Sequence, residues 1–328
     1  MDITPKATED LRVFKEQINP LHLLPLWERK VKLTPGSECV PALWAYQNVR
    51  PMLERACQLI NKKDADRRVL VMENPSMRGS SFIAKSLFAG QQIILPGELA
   101  PSHRHTPNAF RFIVEGEGAY TSIDGIQIMM RPGDFIVTPN WAWHDHGNLG
   151  DSPVVWMDGL DTPFTSLFGA HFRDNYPQDT YPVRHQSLTP DEVSKTYLYP
   201  FTEMSSKLMD CSASQLDTSH AYKLKYLNPL TQEDPLMTVS AFMQRIPQGF
   251  IGTPYRSTEN TVFNLAKGAC RIEVGEQVFL MQEHDVLVVP SWETYRIAGL
   301  EESYLFSFTD RIAQQKLGFW REEYLLTK

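Results

Sequence analysis

The sequence predicts a mainly all-β protein: two tandem copies of one barrel or sandwich domain behind a helical N-terminal segment. Three observations carry this. From about residue 69, short runs rich in Val, Ile, Phe and Thr recur about every ten residues between Gly, Pro and Asp turns. The same texture fades over about 165–230, then returns from about 236 to about 309. The two β-rich stretches also align on each other. Thr258–Cys270 lies on Thr106–Gly118 without a gap at an offset of 152, which sets Gly268 on Gly116. Asp285–Trp292 lies on Asp134–Trp141 at an offset of 151, and a one-residue gap is normal for a hairpin loop. A repeat of about 100 residues or more indicates two domains of one fold rather than a solenoid.

Residues 1–65 are expected to be helical with Pro breaks. Met52-Leu53, Ala56-Cys57 and Leu59-Ile60 recur at helical spacing and give one apolar face. Residues 66–195 are expected to form the first barrel. Within it Asp124-Gly125 sits between two strand-like runs and reads as a tight hairpin turn. The blurred stretch reads as a connector with one or two short helices. Residues 196–328 form the second barrel, closed by a short amphipathic tail from Arg311 to Leu326.

A chain of 328 residues is long enough for two domains with real cores. The net charge of −7, without a long Lys or Arg run, argues against a nucleic-acid surface and leaves room for a local basic pocket. No run approaches 18 apolar residues, so no membrane helix is expected. The start, MDITPKATEDLRVF, lacks an apolar signal core, and the four cysteines form no CxxC. Both point to a cytoplasmic protein with reduced thiols.

The chemistry-bearing residues sit in the first copy. Pro96-Gly97-Glu98 leads to His103-Arg104-His105, then Glu115-Gly116-Glu117-Gly118, Arg131-Pro132-Gly133-Asp134, and Thr138-Pro139 running into Trp143-His144-Asp145-His146. Residues two apart on a strand share a face, so His103 and His105 can both point inward. His144, 39 residues after His105 on another strand, is placed to complete three ligands. Imidazole suits Fe(II), Zn(II), Cu(II) and Ni(II), so ligand type alone does not choose the metal. A lone HxH is weak, and most such pairs bind nothing; the full motif set is far more specific. In the second copy the matching positions hold Tyr255, Ser257 and Tyr295, and the second barrel is therefore expected to be metal-free, with a structural or assembly role. His284 falls at a turn, on Gly133, and reads as a surface histidine.

This motif set resembles the cupin superfamily, whose domains are double-stranded β-helix jelly rolls. Where cupins usually supply a metal-binding Glu, this chain has Ala109 or Phe110. A three-His site without that carboxylate leaves net positive charge and open positions for an anionic chelating substrate. The whole chain resembles the bicupin ring-cleaving gentisate 1,2-dioxygenase group, with its salicylate and 1-hydroxy-2-naphthoate relatives. The resemblance begins at Leu24-Pro25-Leu26-Trp27 and is densest over Gln91–Asp161, notably in Pro96–His105 and Thr138–His146. It implies one Fe(II) per chain on His103, His105 and His144. It further implies an aromatic hydroxy-acid and O2 as substrates, cleavage of gentisate to maleylpyruvate in aromatic catabolism, and a homotetramer.

Arg111, six residues after His105, faces inward on an uninterrupted strand, and an inward Arg is costly unless it meets an anion. The bland reading is an internal salt bridge; the resemblance implies a substrate-binding Arg. His146 shares a face with His144 and reads as an acid–base or hydroxyl-binding residue, or as a structural histidine on the rim. The resemblance places Gln92 on substrate and Asp158 behind a catalytic histidine. Arg67 is a weaker substrate-binding candidate. Trp141, Trp143 and Trp156 read as core. Competing readings are a sugar-phosphate isomerase or oxalate-degrading cupin, which usually keeps the metal-binding Glu, and a storage or binding bicupin, which commonly lacks the histidines.

Overall fold

The computed structural model describes residues 5–61, 67–183 and 196–325. The expected domain boundaries at 65/66 and 195/196 fall on or beside residues outside that set, as do part of the connector and Leu326. The chain divides into two compact units, Met1–Pro35 and Gly36–Lys328. In the first, helix α1 (Pro5–Ile18) ends in a short 3-10 turn, and Phe14 stacks on Trp27 at 6.3 Å.

The second unit holds both barrels. β1 (Ala42–Trp44) and helix α2 (Tyr46–Leu59) precede the first of them. Its strands are β2 (Arg68–Val71), β3 (Phe88–Ile94), β4 (Leu99–His105), β5 (Ala109–Glu115), β6 (Ala119–Ile123), β7 (Ile126–Met129), β8 (Phe135–Thr138), β9 (His144–Asn148) and β10 (Val154–Leu160). Two later strands, β11 (Arg173–Asn175) and β12 (Leu198–Tyr199), extend its sheets to the orders β12-β8-β5-β10-β3-β2 and β11-β4-β9-β6-β7.

The second barrel repeats the plan. Its strands are β13 (Tyr222–Lys225), β14 (Ser240–Ile246), β15 (Tyr255–Ser257), β16 (Thr261–Lys267), β17 (Cys270–Val274), β18 (Gln277–Met281), β19 (Val286–Val289), β20 (Tyr295–Gly299), β21 (Ser303–Thr309) and β22 (Glu322–Tyr324). They form sheets ordered β1-β19-β16-β21-β14-β13 and β18-β17-β20-β15-β22. Among the described residues no helix is long and apolar enough to cross a membrane.

The repeat is visible in the backbone. Gly116 and Gly268 take φ 85 and 87, and Trp141 and Trp292 take φ 64 and 67. His284 holds φ 72 where Gly133 has φ 85. It is half-buried rather than on the surface, its ring 5.0 Å from that of Tyr46. The Asp124-Gly125 turn joins β6 to β7 with φ 49 and 83, the two positive values of a type I′ hairpin.

Period-two alternation explains the packing. On β5, Phe110, Phe112 and Val114 face out of the barrel; on β21, Tyr304, Phe306 and Phe308 do the same. These outer faces share one apolar cluster, with Phe112 stacked on Phe306 at 4.1 Å and Phe110 edge-on to Phe308 at 4.8 Å. Burying a Phe side chain stabilises by about 1.5–3 kcal/mol, so this layer is a large part of what joins the barrels. Hydrogen bonds cross it reciprocally. Thr238 joins Asn108 and Asp161, while Ser86 joins Asn260 and Asp310.

The N-terminal approach is less tidy than its spacing suggests. α2 forms, but it buries only Tyr46 and Leu53; Met52, Leu59 and Ile60 remain exposed. β1 pairs with β19 of the second barrel, and the Tyr46 amide donates to Asp285 Oδ1 at 2.7 Å.

A Cβ on Gly116 would lie 2.2 Å from the Pro153 carbonyl oxygen, at a backbone angle L-residues avoid. Gly116→Ala is expected to destabilise by at least about 2 kcal/mol. Gly97→Ala, at φ 73 with nothing within 4 Å, is expected to cost only about 1 kcal/mol. Urea unfolding of the two variants side by side checks the contrast; equal midpoints would show that the contact does not matter.

Candidate metal centre and its cavity

β4 carries His103 and His105 on one face, and β9 brings His144 opposite His103 in the ladder. The three form one group whose ligand atoms all lie within 4.8 Å of one another. Each Nδ1 faces a backbone carbonyl: His103 to Pro101 at 3.2 Å, His105 to Pro107 at 2.8 Å, His144 to Ala142 at 2.9 Å. A carbonyl only accepts, so His105 and His144 carry the proton on Nδ1 and keep the Nε2 lone pair, while both ring nitrogens of His103 also face a guanidinium donor, Arg67 Nη2. His144 Nε2 is buried with no partner. Burial pushes His103 down to about 2, helped by Arg67 and His105, and pushes His105 down to about 4. Burial also lowers His144. All three rings are therefore neutral at pH 7, the form a metal binds. Three converging imidazole lone pairs, one of them orphaned, fit a divalent transition metal.

Beside this focus lies a buried charged set. Arg111, on the inner face of β5, is 3% exposed. Its Nη1 donates to Thr138 Oγ1 at 2.6 Å, its Nη2 meets His146 Nε2 at 3.0 Å, and its Nε is 3.7 Å from Asp158 Oδ1. Burial lowers Arg111 to about 10, opposed by Asp158, so it stays charged at pH 7. Asp158 is raised by burial and held back by Arg111, and it accepts from Trp156 Nε1 at 3.0 Å. Among the described residues its side-chain partners are Arg111 and Trp156, and it reaches His146 only through the guanidinium.

A guanidinium only donates, so His146 takes the bond at Nε2 and carries its proton on Nδ1. That Nδ1 is buried and has no partner among the described residues. Gln92 lies on the same inner face, opposite Val69 and Trp156 in the ladders. Arg67 Nη2 sits 2.5 Å from both His103 ring nitrogens.

Thr138 and Gly90 escaped sequence reasoning. Thr138 sits opposite Ala109 and two residues beyond Ile136, the partner of Arg111, so alternation alone put it on this face. Gly90, two residues before Gln92, lets Val69 pack against the backbone of this wall, because a Cβ there would lie 2.7 Å from Val69 Cγ1.

Outside the barrel, Arg104 is sandwiched by Trp141 at 4.4 Å and Trp143 at 4.6 Å, and it pairs with Asp174 of β11 at 2.9 Å. The second barrel repeats this device, with Arg256 over Trp292 at 4.8 Å and joined to Glu323 of β22. These tryptophans therefore serve the fold in both barrels.

Residues 90–160 match the cupin domain family. The chain is 40% identical to gentisate 1,2 dioxygenase 1 of Aquipseudomonas alcaligenes, over 97% of both chains. It is 31% identical to a 1-hydroxy-2-naphthoate 1,2-dioxygenase of Nocardioides sp. (strain KP7), over 88% of this chain and 80% of that one. A crystal structure of salicylate 1,2-dioxygenase from Pseudoaminobacter salicylatoxidans as an adduct with gentisate superposes with a TM-score of 0.87. Identity is 26%, over 100% of this chain and 96% of that one.

Proposed function

The chain belongs to the gentisate 1,2-dioxygenase family of ring-cleaving cupin enzymes, and from that premise we propose that it opens gentisate with O2 to maleylpyruvate, using one Fe(II) held by His103, His105 and His144. The observation that carries this reading is the juxtaposition of three converging imidazoles with a buried, charged Arg111. Bound iron would supply open coordination positions for a chelating hydroxy-acid and O2, and the redox exchange between them.

The protein's own residues do the rest. Arg111, steadied by Thr138 and balanced by Asp158, provides fixed positive charge where an aromatic carboxylate is taken out of water. Arg67 adds to that field from the His103 side. His146 presents an Nδ1–H with no other acceptor, suited to a ring hydroxyl or to the oxyanion that develops as the ring opens. Gln92 offers an amide on the same wall, and Asp158 orients His146 through Arg111. The cut falls between the carboxyl-bearing carbon and its hydroxyl-bearing neighbour. The second barrel acts as scaffold within a cytoplasmic homotetramer, with residues 66–195 as the catalytic domain.

Anaerobically iron-loaded protein is expected to consume one O2 per gentisate, with loss of the gentisate absorbance and about one iron per chain. Turnover of salicylate or 1-hydroxy-2-naphthoate without gentisate would move the assignment to those relatives' reactions. No O2 uptake with any of the three, or bound Zn or Mn in an active enzyme, would defeat it.

A further inference from the structure

The second barrel carries a lysine on its inner face that makes no salt bridge among the described residues. In the first barrel Asp158 pairs with Gly90 on one side and Arg111 on the other. The same ladder positions of the second barrel hold Ser307, Phe242 and Phe263. The neighbouring pair Val69–Gln92 becomes Lys223–Gln244. The inner cation has thus moved from the position of Arg111 to that of Val69.

Lys223 is partly buried, its ammonium 4.6 Å from the Phe242 ring centre. Burial and then Arg311 pull it down to about 8, against Glu259, Asp217 and Glu322. Each of those carboxylates is engaged elsewhere. Glu259 takes Arg311 at 2.8 Å and Trp320 at 3.2 Å. Asp217 takes His220 Nδ1 at 3.0 Å, while His220 Nε2 meets the Tyr295 hydroxyl at 3.0 Å. Glu322 accepts from the Tyr255 hydroxyl at 2.8 Å. Among the described residues none gives the Lys223 ammonium a hydrogen-bond acceptor. Two more polar atoms on this face, Gln244 Oε1 and Ser307 Oγ, are fully buried without partners. Buried polar groups are ordinarily satisfied, so an amide oxygen and a hydroxyl left open beside a lysine on one inner face describe a site.

We propose that this face binds a small, singly charged oxyanion with one O–H donor, of the 2-hydroxycarboxylate class. Lys223 is its counter-charge, and Gln244 Oε1 and Ser307 Oγ are its polar contacts. Phe242 and Phe263 fill the space that Gly90 and Arg111 border in the first barrel, so an aromatic ring is excluded.

The test uses the full chain stripped of metal, so that coordination in the first barrel does not compete, with glycolate as probe and ligand-observed NMR as readout. The expected result is saturable binding that Lys223→Met weakens at least about tenfold and Ser307→Ala several-fold, while Arg111→Met leaves it within about twofold. Iron-loaded Lys223→Met should cleave the aromatic substrate within about twofold of wild type, which also reports that it folds. Equal glycolate affinity in wild type and Lys223→Met, or no saturable binding to wild type, overturns the site. Acetate binding as tightly as glycolate overturns the role of Gln244.

Discussion

His144→Ala is expected to empty the centre and abolish ring cleavage, by at least on the order of 10³-fold in kcat. His144 is 1% exposed, and its Nε2 has no partner among the described residues. Among the described residues, the ring is fixed by one hydrogen bond, from Nδ1 to the Ala142 carbonyl. With two ligands left, the group can neither hold a metal tightly nor orient what binds to it. Two measurements separate the causes. Iron per chain should fall well below one after mild chelation, and O2 uptake with substrate should vanish. Ala is compatible with strand β9, so near-native circular dichroism is expected alongside. A variant that kept both iron and turnover would remove His144 from the centre.

Arg111→Met is expected to lower kcat/KM by about 10²–10³-fold, mostly through KM. Two losses add. The fixed charge that meets the substrate carboxylate disappears, and Asp158 is left as a buried carboxylate without its cation, which costs about 3–5 kcal/mol of stability unless it takes up a proton. Arg111→Lys is expected to rescue little. The guanidinium reaches Thr138 and His146 through separate nitrogens, 2.6 and 3.0 Å away, and a single ammonium cannot span that fork. Steady-state kinetics with gentisate at fixed O2, together with urea midpoints, distinguish the effects. An unchanged KM would mean that Arg111 serves only the fold.

The inner face of the first barrel was legible because strand alternation has a strict period. His103 and His105 share one face of β4, and His144 and His146 share one face of β9, whatever those strands pair with. Arg111 does not follow from the same count, because residues 106–108 break the chain between β4 and β5 and the two strands lie in different sheets. The tandem repeat was legible for the same reason, since turns such as Gly116 and Gly268 demand the same backbone. What alternation does not encode is the element that covers an outer face. The pairing of β1 with β19 and the Asp285 carboxylate under Tyr46 depend on contacts more than 200 residues apart. So does the burial of His284, which looks like any polar turn residue in one dimension. The helix over 46–59 has the spacing of an apolar face, yet that spacing does not say how much of the face finds a neighbour. Thr138 passed unread because a Thr-Pro pair reads first as a strand end, and its hydroxyl matters only once Arg111 is opposite.

The shared aromatic layer bears on how the molecule melts. Phe110 and Phe112 of one barrel are covered by Phe306 and Phe308 of the other, so each half has its own interior cluster but an outer sheet face that only the other half covers. Unfolding one half strips water-shielding from the other, which makes the pair a single cooperative unit rather than two beads on a string. Free energy gained by occupying the histidine centre is then distributed over both halves as protection against heat. The barrel without those ligands is in this sense half of the enzyme's thermal reserve, and its back face is the part of it least free to drift.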